Sequence, residues 1–115
     1  MKVSTKAKTL RSILAEKLTK EDGWTITPVE IEQTGGYSVK CWHEFDLRKK
    51  IGSLDLVHSY ELNEIVSACD LFGASYYAHI PYGQTGEIEF AISLTEFYTD
   101  KEMAEREAKE QEGAE

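Results

Sequence analysis

The first apolar pattern in the chain is a stripe at helical spacing near its start. Its members fall three or four residues apart: Val3, Ala7, Leu10, Leu14 and Leu18. That spacing is typical of an amphipathic helix, which we predict over residues 5 to 21. Ser4 or Thr5 is expected to cap its first turn, and Gly23 suits its end.

Alternating patterns after this helix indicate strands. The segment from Trp24 to Glu32 is rich in β-branched residues, and Pro28 interrupts its alternation, which predicts an edge strand or a bulge. In a second strand we expect one side to face the core, namely Tyr37, Val39, Cys41, His43 and Phe45, with Ser38, Lys40, Trp42 and Glu44 on the other. We interpret residues 48–52 as a basic turn and residues 54–58 as a short third strand.

The second half of the chain repeats the order helix, strand, strand. Ser59 is expected to cap a helix that Gly73 ends. The apolar stripe of this helix is Leu62, Ile65, Val66, Cys69 and Phe72. Alternation in residues 74–82 and 87–94 then predicts a hairpin. Thr99 and Glu102 fit a capping box for a C-terminal helix whose later turns have only alanines as apolar residues.

These elements predict an α+β protein, a two-layer sandwich in which helices cover one face of a mostly antiparallel sheet of four or five strands. The predicted order is α-β-β-(β)-α-β-β-α, with the third strand optional. Residues 1–98 are expected to form one domain, and residues 99–115 an acidic helix that frays into a tail. Gln-Thr-Gly occurs at 33–35 and again at 84–86, each time between strands, so we interpret it as a turn. Internal duplication of a helix-plus-hairpin unit and convergence on the same hairpin design both explain the repeat.

Charge is distributed unevenly along the 115 residues, whose net charge is −8. Residues 1–20 carry six basic residues against one acid, whereas residues 21–97 carry four against thirteen. A body this acidic repels phosphate backbones. No apolar run approaches the roughly 20 residues that span a bilayer, so we expect a cytoplasmic protein without membrane contact. Cys41 and Cys69 are expected to be reduced thiols.

Residues with obvious chemistry are few. Cys41 and His43 share a strand face, as two zinc ligands would, but no C-x-x-C or H-x-x-x-H pair supplies the others. We therefore interpret both as core residues and predict no metal and no cofactor. Nothing local places either thiol at a helix N-terminus or beside a fixed positive charge, and no glycine-rich phosphate loop occurs, so we predict no enzyme. A small enzyme or ligand-binding module that uses His79, Glu89 and Cys41 is an alternative.

The sheet face opposite the helices is the main candidate site. Alternation places aromatic, histidine and acidic side chains there: Trp42, Glu44, Tyr77, His79, Glu87 and Glu89. Aromatic residues among acids suit a protein partner with a basic surface, or a self-association interface. The competing interpretation is that the C-terminal helix covers this face.

Basic residues form a second candidate surface, for nucleic acid. The first helix carries Lys6, Arg11 and Lys17, and the predicted turn carries Arg48, Lys49 and Lys50. Phosphate contacts need such side chains, although a solvated polar helix face is the simpler interpretation.

The first hypothesis is therefore a non-enzymatic protein-binding module whose acidic, aromatic face occupies a basic, nucleic-acid-handling site on a partner. In size and charge the chain resembles phage and mobile-element inhibitors that mimic nucleic-acid charge, such as anti-CRISPR and anti-restriction proteins, and this resemblance implies an inhibitor. A nucleic-acid-binding regulator that uses the basic helix and turn is the alternative. A homodimer is also considered.

Overall fold

Two long central strands organise the sheet of this protein. The computed structural model describes residues 1–51, 57–79 and 86–113. Within them the helices are α1 (Val3–Lys17), α2 (Ser59–Phe72) and α3 (Asp100–Gly113), and the strands are β1 (Trp24–Ile26), β2 (Glu30–Gln33), β3 (Val39–Lys50), β4 (Ser75–His79) and β5 (Glu87–Phe97). A 3-10 turn, Lys20–Asp22, links α1 to β1. The predicted α+β class and element order are confirmed.

The described strands pair antiparallel throughout. β3 and β5 lie side by side at the centre, β4 borders β5, and β1 and β2 follow one another along the far edge of β3. Pro28 falls between β1 and β2. Because proline has no N–H to donate to the ladder, the predicted single strand from Trp24 to Glu32 is two short edge strands.

The core lies between the sheet and the pair α1 and α2, which pack on one face of it. Its side chains come from both layers: Ala7, Leu10 and Leu14 of α1, Ile65, Ala68 and Cys69 of α2, and Phe45, Leu47, Phe90, Ile92 and Leu94 of the sheet. Most of these residues belong to the predicted stripes, because spacings of 3.6 and 2 residues bring side chains to one side of a helix or strand. Leu47 and Ala68 were not among those predicted, and Leu62 of the predicted α2 stripe is 39% exposed. Both cysteines are free and buried.

The predicted basic turn at residues 48–52 is wrong. Arg48, Lys49 and Lys50 belong to β3, where β5 pairs with all three on one side and β1 pairs with Arg48 and Lys49 on the other. Most of the predicted third strand, residues 54–58, lies outside the described residues, and Val57 and His58 are not in a strand.

Some predicted boundaries also differ. Ser4 and Thr5 lie inside α1, whose N-cap is Lys2, and His58 takes the capping position expected of Ser59. Tyr37, expected in the core, precedes β3 and is 64% exposed. It is exposed because β3 begins only at Val39 and a register shift follows between Val39 and Cys41.

The turn and cap of the later elements agree with the sequence. Glu102 N–H donates to Thr99 Oγ1 at 3.1 Å, and Thr99 N–H donates to Glu102 Oε1 at 3.2 Å, which confirms the capping box of α3. Gly35 and Gly86, from the two Gln-Thr-Gly copies, have φ of +66° and +85°, a conformation that favours glycine. Gln84 and Thr85 lie outside the described residues, and internal duplication stays a prediction.

Candidate functional site

The open face is the face of the sheet opposite α1 and α2. Strand register places all six predicted partner-binding residues on it: Trp42 and Glu44 of β3, Tyr77 and His79 of β4, and Glu87 and Glu89 of β5. Glu44 lies opposite Ser93, and Tyr77 opposite Ala91, two residues earlier in β5 and on the same face. The alternation in the sequence therefore identified this surface, since residues two apart in a strand share a face.

Sequence reasoning missed at least four further members of the open face. Asp46 and Arg48 continue the alternation of β3 beyond Phe45, where the strand was expected to end. Glu30 and Glu32 of β2 reach the same face because they pair with Glu44 and Trp42. The alternation Glu44-x-Asp46-x-Arg48 was the sequence signal for Asp46 and Arg48. The position of Glu30 and Glu32 depends on the strand register, which has no local sequence signal.

Arg48 and Glu89 form the main ion pair of this face. Arg48 Nε donates to Glu89 Oε2 at 2.9 Å, and Arg48 Nη2 lies 3.8 Å from Asp46 Oδ2. His79 Nε2 is 3.6 Å from the other oxygen of Glu89, and the His79 ring stacks on Tyr77 with centroids 5.4 Å apart. Glu89 is thus shared between two basic groups.

Carboxylates elsewhere on the open face crowd one another. Burial raises the pKa of Glu44, and the nearby carboxylates Glu32, Asp46 and Glu30 raise it further. Burial also raises the pKa of Asp46, as does Glu89, although Arg48 partly offsets this. Raised carboxyl pKa values mean that the folded chain disfavours the negative charges it holds there. A cation placed beside Glu44 would relieve that repulsion.

Two shallow depressions flank this carboxylate pair. Glu44 and Asp46 line both. One, of about 220 Å³, lies at the break between β1 and β2 and is also lined by Thr27, Pro28, Glu30, Phe45 and Arg48. The other, of about 230 Å³, is completed by Tyr77, His79, Glu89, Ala91, Ile92 and Ser93. Each has the size of a side chain rather than of a drug-sized ligand, for which pockets exceed about 300 Å³.

The described part of α3 does not lie on the open face. Its hydrogen bonds to other elements go to the start of β3 and the turn before it: Arg106 donates to Tyr37 O, Tyr37 Oη donates to Glu107, and Lys40 donates to Glu102. Trp42 is 36% exposed and Tyr77 63%. The aromatic residues of this face therefore remain accessible.

The six candidate nucleic-acid ligands do not form one surface. On α1, Arg11 donates to the carbonyl oxygens of Thr27 and Ile26, at 2.7 and 3.1 Å, and Lys17 lies 3.8 Å from Glu64. Lys6 is on the same helix, which covers the face opposite Arg48. Lys49 is 4% exposed, and Lys50 is exposed at the end of β3.

The buried charge of Lys49 is matched by Glu61, a pair that sequence reasoning missed. Lys49 Nζ donates to Glu61 Oε1 at 2.8 Å, and the Trp24 indole N–H donates to Glu61 Oε2. His58 N–H donates to Glu61 Oε1 at 2.9 Å, which fixes the first turn of α2. The side chains of Lys49, Trp24 and Glu61 are buried, so this network holds the fold together rather than offering a surface to a ligand.

The alternative enzyme set is not assembled. His79 and Glu89 lie on the open face, whereas Cys41 is buried on the face that α1 and α2 cover. Cys41 instead lies 3.6 Å from His43 Nε2, with Glu96 beside both. Burial raises the pKa of the Cys41 thiol, and so does the adjacent Glu96 carboxylate, which disfavours the nucleophilic thiolate.

Comparison with known proteins adds no relative. The chain matches no family model, and searches of curated proteins and of solved structures find no significant match. Within residues 1–51, 57–79 and 86–113, each helix is too short or too polar to cross a bilayer.

Proposed function

We propose that this protein is a non-enzymatic binding module whose open face takes up a basic segment of a partner protein. The observation that supports this most is the carboxylate pair Glu44 and Asp46, which has raised pKa values and lines two side-chain-sized depressions. Lysine or arginine side chains from a partner would supply the missing positive charge there.

Arginine suits the surroundings of this pair better than lysine does. A guanidinium group forms two parallel hydrogen bonds to a carboxylate and stacks on aromatic rings. Tyr77 and Trp42 are exposed on the same face as Glu44, so a bound arginine would find both kinds of contact. The hypothesis of a basic partner thus gains a specific chemistry.

The extent of the face fits a standard interface. β3 has 12 residues and is about 40 Å long. Four strand positions lie side by side across the sheet, about 4.8 Å apart, so the open face has an area on the order of 600 Å². Typical complexes bury roughly 800 Å² per partner. The narrower hypothesis of an inhibitor of the anti-CRISPR or anti-restriction type stays a prediction from size and charge. A cytoplasmic location and a homodimer also stay predictions from the sequence.

A binding titration tests the proposal. We expect a fluorescent arginine-rich peptide to bind the wild-type chain, and the double variant Glu44→Gln with Asp46→Asn to weaken binding at least about tenfold, because losing even one close charge pair costs about 1.5 kcal/mol or more. The matched control is Glu16→Gln with Glu21→Gln, which removes the same charge from exposed positions off the open face. Anisotropy at about 150 mM salt is the measurement.

Three results would count against the proposal. Equal weakening by the control pair would mean that only net charge matters. Unchanged peptide binding by Trp42→Ala with Tyr77→Ala would remove the aromatic part of the assignment, since buried aromatic contacts typically contribute about 2 kcal/mol or more. Tighter binding of DNA or RNA than of the peptide at that salt concentration would favour the nucleic-acid regulator instead.

A further inference from the structure

Three different metal-binding side chains meet at the start of the central strand pair. Cys41 Sγ lies 3.6 Å from His43 Nε2 and 3.7 Å from Glu96 Oε2. His43 Nε2 lies 3.5 Å from Glu96 Oε1. The sequence predicted no metal because no sequence pair supplied the two ligands needed beside Cys41 and His43, and the fold supplies one of them from 55 residues away.

Strand geometry explains why these side chains converge. Cys41 and His43 are two residues apart on β3 and share its helix-covered face, and Glu96 of β5 lies directly opposite Cys41. A directly opposite position and its diagonal neighbour are the closest cross-strand contacts in an antiparallel pair. The arrangement is therefore fixed by the backbone of the two longest strands.

The spacing of the three donors matches a zinc coordination sphere. With bond lengths of about 2.3 Å for sulfur, 2.05 Å for nitrogen and 2.1 Å for oxygen, tetrahedral angles put sulfur and nitrogen about 3.6 Å apart, nitrogen and oxygen about 3.4 Å, and sulfur and oxygen about 3.6 Å. The observed separations of 3.6 Å between Sγ and Nε2 and 3.5 Å between Nε2 and Glu96 Oε1 agree with these within about 0.1 Å. The 3.7 Å separation from Sγ is to the other oxygen, Oε2, so a rotation of the carboxylate would bring one oxygen within reach of both partners. Little movement would be needed to admit the ion.

A catalytic Cys-His-Glu triad does not explain the same cluster. In a triad the acid binds the ring nitrogen that faces away from the nucleophile. Here Cys41 and Glu96 both approach Nε2, and the buried Nδ1 of His43 has no hydrogen-bond partner among the described residues. Three donors that converge on one point are the arrangement of a metal site.

Access to the cluster comes from the Glu96 side. Cys41 and His43 are 4% and 2% exposed, whereas the Glu96 side chain is 26% exposed. Lys40 Nζ lies 3.6 Å from Glu96 Oε2 but 3.0 Å from Glu102 Oε2. A bound dication would repel the Lys40 ammonium from Glu96. Lys40 would keep its shorter contact with Glu102.

We propose that Cys41, His43 and Glu96 bind one zinc ion, with water in the fourth position. Binding displaces the thiol proton of Cys41 and ties β3 to β5 where the pair begins. A buried sulfur, a histidine nitrogen and a carboxylate oxygen form a donor set that favours a late transition-metal dication over calcium or magnesium. This site lies on the opposite face of the sheet from Glu44 and Asp46, so its test is independent of the proposed function.

Metal titration of the full chain tests the site. After chelator treatment, we expect the protein to take up one zinc ion per chain, measured by competition with a chromophoric chelator, and its melting temperature to rise with zinc concentration. Cobalt in place of zinc should give a thiolate-to-metal charge-transfer band in the near ultraviolet, which reports a bond to cysteine sulfur.

Two ligand variants and two controls make the result specific. Glu96→Gln, at a partly exposed position that leaves the core intact, should weaken zinc binding at least about tenfold, the lower bound for losing even an outer-shell partner. Cys41→Ser should abolish the cobalt band, and Cys69→Ala should leave it. Glu87→Gln, on the same strand but the opposite face, should bind zinc as the wild type does.

Other results would overturn the assignment. No stoichiometric zinc uptake by the folded wild-type chain would do so directly. Zinc binding that Glu96→Gln and Cys41→Ser leave unchanged would place the ion elsewhere, and a cobalt spectrum without a thiolate band would exclude Cys41 as a ligand.

Discussion

Two clusters of charge lie on opposite faces of the sheet and differ in what surrounds them. On the helix-covered face, Glu61 is 1% exposed and receives hydrogen bonds from Lys49, from the Trp24 indole and from the His58 backbone. On the open face, Glu44 is half-buried, and its ionisable neighbours Glu32, Asp46 and Glu30 are all carboxylates. Each carboxylate oxygen of Glu61 accepts a hydrogen bond, whereas the Glu44 carboxylate has other negative charges beside it.

The pKa values of the two residues move in opposite directions for this reason. Burial alone would raise both. For Glu61 the donors Lys49, Trp24 and His58 outweigh burial and hold its pKa below the usual range. For Glu44 the neighbouring carboxylates add to burial. Folding thus completes the partners of Glu61 by itself and leaves negative charge at Glu44 that a partner's cation would neutralise.

Breaking the Glu61 cluster should have the largest effect. We expect Glu61→Gln to lower the free energy of unfolding by about 3 kcal/mol or more, because it leaves the Lys49 ammonium buried without its counter-charge. Urea denaturation at pH 7 measures the loss. Since the folded pKa of Glu61 is lowered, its stabilisation is present above the unfolded pKa of about 4.3 and is lost as the pH falls through the folded pKa. The variant and the wild type should therefore converge in acid.

The matched control is one turn further along the same helix. Glu64 is 3.8 Å from Lys17 in a pair whose side chains are about half exposed, and such pairs contribute less than about 1 kcal/mol. We expect Glu64→Gln to stay within that limit. A loss equal to that of Glu61→Gln would show that helix charge in general, rather than the buried network, sets the stability.

Arg48 allows a second test, of intermediate size, because it is the cation of the main ion pair on the open face. Arg48→Gln should cost about 1 to 3 kcal/mol, since Glu89 loses its charged hydrogen bond. The same variant should bind the arginine-rich peptide several-fold more tightly, because the face becomes more negative. Urea denaturation and anisotropy measure the two effects.

This prediction separates the two functional hypotheses. A nucleic-acid-binding surface would lose affinity when Arg48 is removed, whereas the acidic face gains affinity for a cation. Lys8→Gln, an exposed position on α1, makes the same charge change elsewhere and should leave both stability and peptide binding unchanged. Weaker peptide binding by Arg48→Gln would contradict our assignment of the face.

Features that depend on neighbours in sequence could be predicted from the sequence. The stripe that includes Leu10 and Leu14 predicted α1, and alternation predicted which side of β5 faces the core. The Thr99 capping box was equally local, since its two partners are three residues apart. In such cases the backbone geometry alone decides which side chains meet.

Features that depend on partners distant in the sequence could not be predicted from it. We predicted Lys49 in a basic turn because no residue near it in the sequence shows that Glu61 neutralises its charge in the core. Glu96 went unnoticed beside Cys41 because only the β3–β5 register brings them together. The open face could be predicted only in part. Alternation within β3 places Trp42 and Glu44 on one side of the strand, but the acidic residues of β2 join that face through strand pairing, which the sequence does not show.

Glu44→Gln should have the smallest effect and the opposite sign to Glu61→Gln. Because the folded pKa of Glu44 is raised, its ionised form destabilises the folded chain at neutral pH, so removing the charge should raise the free energy of unfolding by about 0.5 kcal/mol. The gain should disappear as the pH falls through the raised pKa, where wild-type Glu44 becomes protonated. Urea denaturation between about pH 4 and pH 7 measures it, with Glu105→Gln on the exposed side of α3 as the charge-matched control. Destabilisation by Glu44→Gln at pH 7 would mean that this carboxylate already has a cationic partner within the chain, and the open face would then have no unmet negative charge to offer.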